Sequence, residues 1–112
     1  MEFPGAFNPM VAMIIEQYNF DGVYCSGAVM AYSMVLPYIG LTTMSEVTQF
    51  AGNIAKVTSL PTIMDVDTGF GEMMNMVRTI QEIENAGIAG CHLEDQVNPK
   101  RCGHLDLSLI HI

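Results

Sequence analysis

The sequence predicts an α/β protein built on a parallel β-sheet. Three apolar runs with the composition of strands, at 21–27, 59–67 and 88–96, alternate with segments whose apolar residues recur at helical spacing. The part of the middle run between Pro61 and Gly69 is apolar enough to be buried on both faces. This alternation favours parallel strands joined by crossover helices, either in an open doubly wound sheet or in part of a (β/α)8 barrel.

The first helix is predicted to begin at Asn8-Pro9. Asn is a good N-cap and Pro suits the first helical position, and an apolar segment follows. We expect this helix to fade by Asn19. The strand predicted over 21–27 then ends at a Ser-Gly turn.

Two further helices are indicated by their termini. Thr43 and Glu46 have the spacing of a capping box, which predicts a helix over about 44–57. A third apolar stripe covers 73–83 and stops at Gly87, a residue type that commonly ends helices. The strands at 59–67 and 88–96 follow these two helices.

Composition excludes several classes of partner. Four basic residues against twelve acidic ones give a net charge of −8, which cannot supply the basic face that nucleic acid or an anionic membrane requires. The three cysteines form no CxxC pair, which indicates reduced thiols in a reducing compartment. The start of the chain has no leader pattern, and no run approaches the ~18 apolar residues of a membrane span. We therefore expect a cytoplasmic protein, or one of the mitochondrial matrix if a targeting segment precedes Met1.

Polar residues gather at the ends of the predicted strands, where parallel α/β folds hold their active sites. They are Ser26, Asp65, Asp67, His92, Glu94 and Asp95. Strand side chains alternate, so Asp65 and Asp67 are expected on one face, as are His92 and Glu94. Carboxylates this close repel unless a cation neutralises them, and Mg²⁺ suits such hard oxygen ligands. Zinc fits less well, because the chain has no compact set of Cys and His.

Each of these residues also has a purely structural interpretation. Asp65 and Asp67 would serve equally well to end a strand and cap the next helix. A single histidine such as His92 is more often buried and hydrogen-bonded than a ligand.

The segment KRCGH, 100–104, places two of the four basic residues beside a thiol. Lys100, Arg101 and His104 would lower the pKa of Cys102, so that the thiol can act as an acid, a base or a nucleophile near neutral pH. The two cations would equally pair with substrate carboxylates. The alternative is an exposed loop with a spectator cysteine. Together with a metal site, this segment predicts a ligand of the small polycarboxylic acid class.

Several motifs in order resemble the isocitrate lyase and phosphoenolpyruvate mutase superfamily, and within it the methylisocitrate lyases. The resemblance extends from about residue 4 to Asp106. Its motifs are PGAFNP (4–9), YCSG (24–27), DVDTGFG (65–71), HLEDQ (92–96) and PKRCGH (99–104). Isocitrate lyases proper usually carry Lys where this chain has Arg101.

The resemblance implies a Mg²⁺-dependent retro-aldol cleavage of 2-methylisocitrate to pyruvate and succinate, in a (β/α)8 barrel enzyme that is a homotetramer. Asp65 would be the direct metal ligand, and Asp67 and Glu94 would act through water. Cys102 would protonate the succinate carbanion. Tyr24 is a candidate for handling the proton of the substrate hydroxyl.

The resemblance also implies a set of substrate-binding residues. They are Ser26, Gly27, His92, Lys100, Arg101, Gly103 and His104.

Two features depart from the family pattern. In VLPYIG, Tyr38 stands where the family usually has an acidic residue that serves the outer shell of the metal, and a phenol cannot replace a carboxylate's charge. The final segment 107–112, LSLIHI, is foreign to the family, so we expect a lyase part over 1–106 and an aberrant tail. A barrel takes about 250 residues, so 112 residues supply only its first three or four β/α units and the sheet stays incomplete.

Two other functions remain open at the level of sequence. An oxaloacetate decarboxylase, or a mutase-like enzyme acting on phosphonates or phosphoenolpyruvate, would use the same superfamily site. A non-catalytic fragment or interaction module is the alternative for the 112-residue chain itself, whose incomplete sheet would expose edges and apolar faces.

Overall fold

The computed structural model describes residues 1–98 and Lys100. Its elements are α1 (Pro9–Gln17), β1 (Val23–Cys25), α2 (Gly27–Ser33), α3 (Met44–Ala55), β2 (Thr62–Asp65), α4 (Met73–Asn85) and β3 (Gly90–His92). None of the helices in this part of the chain is long and apolar enough to span a membrane.

The three strands form a parallel sheet in the order β1-β2-β3, as the alternation of elements predicted. Val23 pairs with Thr62, and Met64 pairs with Cys91. Gly5 forms a further parallel bridge to Tyr24 on the outer side of β1. Since neighbouring parallel strands end at the same edge, the residues after β1, β2 and β3 are brought close together.

The core lies between the sheet and the helices that cover it. Val23, Cys25 and Met64 of the strands are fully buried, and so is Ile54 of α3. Burial of Cys25 raises the pKa of its thiol to about 12, so this cysteine is an inert packing residue.

The helix termini confirm the capping signals. The side chain of Asn8 accepts a hydrogen bond from the backbone N–H of Val11, at 2.9 Å, and Pro9 occupies the first helical turn. Thr43 and Glu46 form the complete capping box at the start of α3. Gly87 follows α4 with φ of +84°, the left-handed conformation that favours glycine after a helix.

Two details of the fold differ from the sequence prediction. The segment after β1 forms the helix α2, whereas only a Ser-Gly turn was predicted there. The strands are also shorter than the apolar runs. β2 ends at Asp65, and Asp67 has φ of +51°, so the strict alternation expected for these two side chains is broken.

We predict that the capping box gives the stability of the fold a pH dependence. Hydrogen bonds from the backbone and hydroxyl of Thr43 lower the pKa of Glu46. A carboxyl whose folded-state pKa is lowered stabilises above its unfolded pKa, about 4.3, and loses that contribution as the pH falls through the folded value. Glu46→Gln should retain the capping geometry but remove this part of the dependence, in thermal melts between pH 3 and pH 7. Identical pH profiles for the two proteins would contradict the prediction.

Candidate active site

The carboxyl ends of the three strands carry the candidate residues. Ser26 follows β1 directly, Asp65 is the last residue of β2, and His92 is the last residue of β3. Ser26 occupies the N-cap position of α2, but its side chain makes no capping hydrogen bond. The predicted convergence of polar groups at this edge is confirmed.

Tyr38 lies at the centre of this edge. Its hydroxyl is 2.6 Å from Oδ2 of Asp65, to which it donates, and 3.1 Å from Oδ1 of Asp67. Its side chain is buried, with 8% of the residue exposed. Burial, and then the hydrogen bond and charge of Asp65, raise the pKa of Tyr38, so the phenol stays protonated and donates.

Gly27 leaves the space that Tyr38 occupies. A Cβ at this position would lie 2.6 Å from the Tyr38 hydroxyl and 2.8 Å from Oδ2 of Asp65. A larger residue would therefore push these two groups apart. Gly27, predicted as a substrate-binding residue, here has a packing role beside the carboxylates.

Lys100 is buried among the acidic groups, and 1% of its side chain is exposed. Its ammonium nitrogen lies 2.8 Å from Oδ1 of Asp67 and 2.9 Å from Oε1 of Glu94. It also donates to the Tyr38 hydroxyl and lies 3.8 Å from the centroid of the Tyr38 ring. Burial acts to lower the pKa of Lys100, but the hydrogen bonds to Asp67 and Glu94 and the charges of Asp67 and Asp65 outweigh it, and the pKa is raised.

We call the carboxylates of Asp65, Asp67 and Glu94 the acidic cluster. All three contact Tyr38 or Lys100, so they face one small volume. Three carboxylates carry more negative charge than one ammonium neutralises, so the acidic cluster keeps a net negative charge beside Lys100.

The donor type fits Mg²⁺, since the cluster offers hard carboxylate oxygens. The arrangement fits less well, because Lys100 already bridges Asp67 and Glu94. In the part of the chain that the structure describes, no three His, Cys, Asp or Glu side chains are gathered closely enough to hold a metal together. Asp65 also accepts the backbone N–H of Asp67, at 3.0 Å, which agrees with its interpretation as a strand-ending residue. The expectation that Asp65 or Asp67 caps the next helix is wrong, because the N-cap of α4 is Glu72.

Tyr24 and His92 form a second polar pair at the same edge. The Tyr24 hydroxyl lies 3.3 Å from Nδ1 of His92, and the ring centroids are 5.4 Å apart. His92 is exposed, so the expectation that it would be buried is wrong, although it is hydrogen-bonded. Burial, and then the charge of Asp65, raise the pKa of Tyr24.

The remaining predicted residues of the KRCGH segment lie outside the described residues. They are Arg101, Cys102, Gly103 and His104. The tail 107–112 also lies outside them. Asp95, at the end of the third strand-like run, is exposed to solvent.

Sequence reasoning singled out Tyr38 only as a departure from a family pattern, and did not place it in contact with Lys100. The contact joins residues 62 positions apart. The signal in the sequence was the aromatic residue of VLPYIG at a position usually held by an acid.

The sequence profile of the phosphoenolpyruvate phosphomutase family matches residues 1–110. The chain belongs to this family. The predicted resemblance to the phosphoenolpyruvate mutase superfamily is thereby confirmed. In Corynebacterium glutamicum, a relative named probable 2-methylisocitrate lyase 2 is 61% identical over 92% of this chain and 34% of its own length.

Two solved structures share the fold of this chain. The phosphoenolpyruvate phosphomutase of Streptomyces platensis subsp. rosaceus has a TM-score of 0.88 and 35% identity, over 92% of this chain and 36% of that protein. A phosphonopyruvate hydrolase in complex with oxalate and Mg²⁺ has a TM-score of 0.82 and 35% identity, over 88% of this chain and 35% of that protein. The chain thus spans about a third of the length of the relatives that it matches.

Proposed function

We propose that the protein carrying this chain is a carbon–carbon lyase that cleaves 2-methylisocitrate to pyruvate and succinate, with Mg²⁺ at the acidic cluster. The observation that carries the proposal is the convergence of Asp65, Asp67 and Glu94 with Lys100 at the carboxyl edge of the sheet. The high identity to a relative named as a 2-methylisocitrate lyase supports the choice of substrate.

The acidic cluster would hold the metal through Asp65 directly and through Asp67 and Glu94 by way of water. When bound, Mg²⁺ would supply positive charge to the carboxylate and hydroxyl oxygens of the part of the substrate that becomes pyruvate. The phosphonopyruvate hydrolase complex with oxalate and Mg²⁺ supports this cofactor for the family.

Proton transfer would fall to side chains of this chain. In a retro-aldol cleavage the substrate hydroxyl loses its proton, the carbon–carbon bond breaks, and the electron pair moves to the carbon of the leaving succinate. Tyr24 has a raised pKa and stays protonated near neutral pH, so it relays the hydroxyl proton only if His92 accepts the phenol proton. Cys102 would give its thiol proton to the succinate carbon.

Substrate would be bound by residues at the start of α2 and by residues of the KRCGH segment. Ser26 has a side chain that is free of capping, and it lies beside Gly27 at the start of α2. Arg101 and His104 would bind carboxylates, and Gly103 would let the backbone approach them. Once it leaves the acidic cluster, Lys100 would bind substrate carboxylates together with Arg101 and His104.

The whole protein would be a (β/α)8 barrel, of which this chain supplies the first units, and a homotetramer in the cytoplasm. Within the described residues, no strand pairs with the outer edge of β3. Apolar side chains also remain exposed on α1, among them Met10 and Ile14. Further β/α units would cover such surfaces.

A second candidate function is a phosphonate or phosphoenolpyruvate reaction, or decarboxylation of oxaloacetate, in the same site. The likeness to the solved phosphomutase and phosphonopyruvate hydrolase favours it. The KRCGH segment favours the lyase, because its thiol offers an acid for protonating the succinate carbanion. For the 112 residues alone, the third candidate is a non-catalytic module, since they cover about a third of the relatives' length.

The proposal is tested with the longest open reading frame that contains this chain. The protein is incubated with Mg²⁺ and, separately, with 2-methylisocitrate, oxaloacetate and phosphonopyruvate, and the products are identified by mass spectrometry. We expect equimolar pyruvate and succinate from 2-methylisocitrate, and loss of the reaction in EDTA. Faster turnover of oxaloacetate or phosphonopyruvate would overturn the lyase assignment in favour of the second candidate.

A further inference from the structure

We infer that Lys100, held in place by Tyr38, is an internal cation that competes with the divalent metal for the acidic cluster. Metal binding then requires Lys100 to leave Asp67 and Glu94. This inference rests on the proposed metal site and adds a property of this chain's own residues, one that follows from tyrosine at position 38.

The position of Lys100 is the first observation. Its ammonium lies within 3 Å of an oxygen of Asp67 and of Glu94, with distances of 2.8 and 2.9 Å. With 1% of its side chain exposed, it has given up its hydration for these contacts. A divalent cation a few ångströms away would face strong repulsion from this charge, so the two cations exclude each other.

The contacts of Tyr38 are the second observation. Its ring presents a face to the ammonium at 3.8 Å from the centroid, which is the geometry of a cation–π contact. Its hydroxyl accepts from Lys100 and donates to Asp65, so one residue ties the ammonium to the carboxylate proposed as the direct metal ligand. A carboxylate at position 38 would offer a charged oxygen to the metal and would have no ring face for Lys100.

The expected cost to metal affinity follows from the population of the competing state. If Lys100 occupies the cluster in about 90 to 99% of molecules, the apparent affinity for the metal falls by roughly 10- to 100-fold. Removing the ammonium should therefore raise the apparent affinity for the metal by the same roughly 10- to 100-fold.

The test measures the affinity for Mg²⁺ alone by isothermal titration calorimetry, on the chain and on the longest open reading frame that contains it. Lys100→Met removes the competing charge, and we expect Mg²⁺ affinity to rise about 10- to 100-fold. Tyr38→Phe removes only the hydroxyl and should raise it several-fold. Tyr38→Asp removes the ring and adds a ligand, so it should raise the affinity as well.

Two matched controls separate local competition from general effects. Lys56→Met removes the same charge from an exposed position, the C-cap residue that follows α3, and Tyr32→Phe removes an exposed hydroxyl. Both controls should leave the Mg²⁺ affinity unchanged. Should Lys56→Met tighten binding as much as Lys100→Met does, the effect comes from net charge and the inference is overturned.

The wild-type protein offers a readout that needs no destabilised variant. The chain has two lysines, Lys56 and Lys100, so protein labelled with ¹⁵N at the lysine side chains gives two ammonium signals that Lys56→Met assigns. We expect saturating Mg²⁺ to shift the Lys100 signal and leave that of Lys56 in place.

The outcomes distinguish this inference from the proposed function. Equal Mg²⁺ affinity in wild type, Lys100→Met and Tyr38→Phe, or an unmoved Lys100 signal at saturation, overturns the competition and leaves the lyase proposal standing. No Mg²⁺ binding by any variant overturns the metal site and the inference together.

Discussion

Lys100→Met is expected to lower the free energy of unfolding in metal-free buffer by about 3 kcal/mol. The substitution leaves Asp67 almost fully buried without its cation, since 7% of that side chain is exposed. Glu94 is 33% exposed, so its carboxylate regains part of its hydration when Lys100 is removed. The expected loss of stability is therefore at the lower end of the range for breaking a buried ion pair. Chemical denaturation in buffer that contains EDTA measures this difference in the free energy of unfolding.

The control for this prediction is again Lys56→Met. An exposed lysine away from such contacts should change stability by no more than about 0.5 kcal/mol. Mg²⁺ at 100 times its dissociation constant should return about 2.7 kcal/mol to the Lys100→Met protein, because a ligand that binds only the folded state stabilises it. A loss of stability no greater than that of Lys56→Met would contradict the buried ion pair.

Cys102→Ser is expected to reduce turnover of 2-methylisocitrate by roughly 10²- to 10⁴-fold, the usual contribution of a positioned general acid. A serine hydroxyl is a far weaker acid than the thiol that the proposal assigns to this step. The substrate contacts are kept, so kcat should fall while KM changes little. The measurement is steady-state pyruvate release by the longest open reading frame.

The matched control for this substitution is Cys91→Ser. Cys91 lies in β3, and burial raises the pKa of its thiol, so it has no chemical role in the proposal. The control should retain wild-type turnover. A Cys102→Ser enzyme that is as active as Cys91→Ser would remove Cys102 from the reaction.

The sequence predicted the parts of the fold that local chemistry decides. Asn8-Pro9 and the Thr43–Glu46 capping box specify helix starts through contacts three residues apart, and the structure has both. The helix α2 was missed because it is short and largely apolar, with Met30 and Ala31 buried, and so lacks the polar face that marks an amphipathic helix. The Ser26-Gly27 dipeptide at its start also has the composition of a turn.

The candidate site was predicted in outline but not in its contacts. Parallel strands fix which carboxylates share an edge, and this placed Asp65, Asp67 and Glu94 together. Which residues are contacted by a long side chain beyond the last strand depends on tertiary packing. Lys100 was therefore predicted to meet substrate, whereas it contacts the acidic cluster and a tyrosine 62 residues away.

The position of the divalent cation tests the proposed metal site most directly. Crystals of the longest open reading frame are soaked in Mn²⁺ as a substitute for Mg²⁺, and the anomalous signal of manganese marks its position. We expect a peak in direct contact with the carboxylate of Asp65, with Lys100 moved away from Asp67 and Glu94. A peak at another place, or a peak at Asp65 with Lys100 still paired to Asp67, would contradict the proposed metal site or the competition by Lys100.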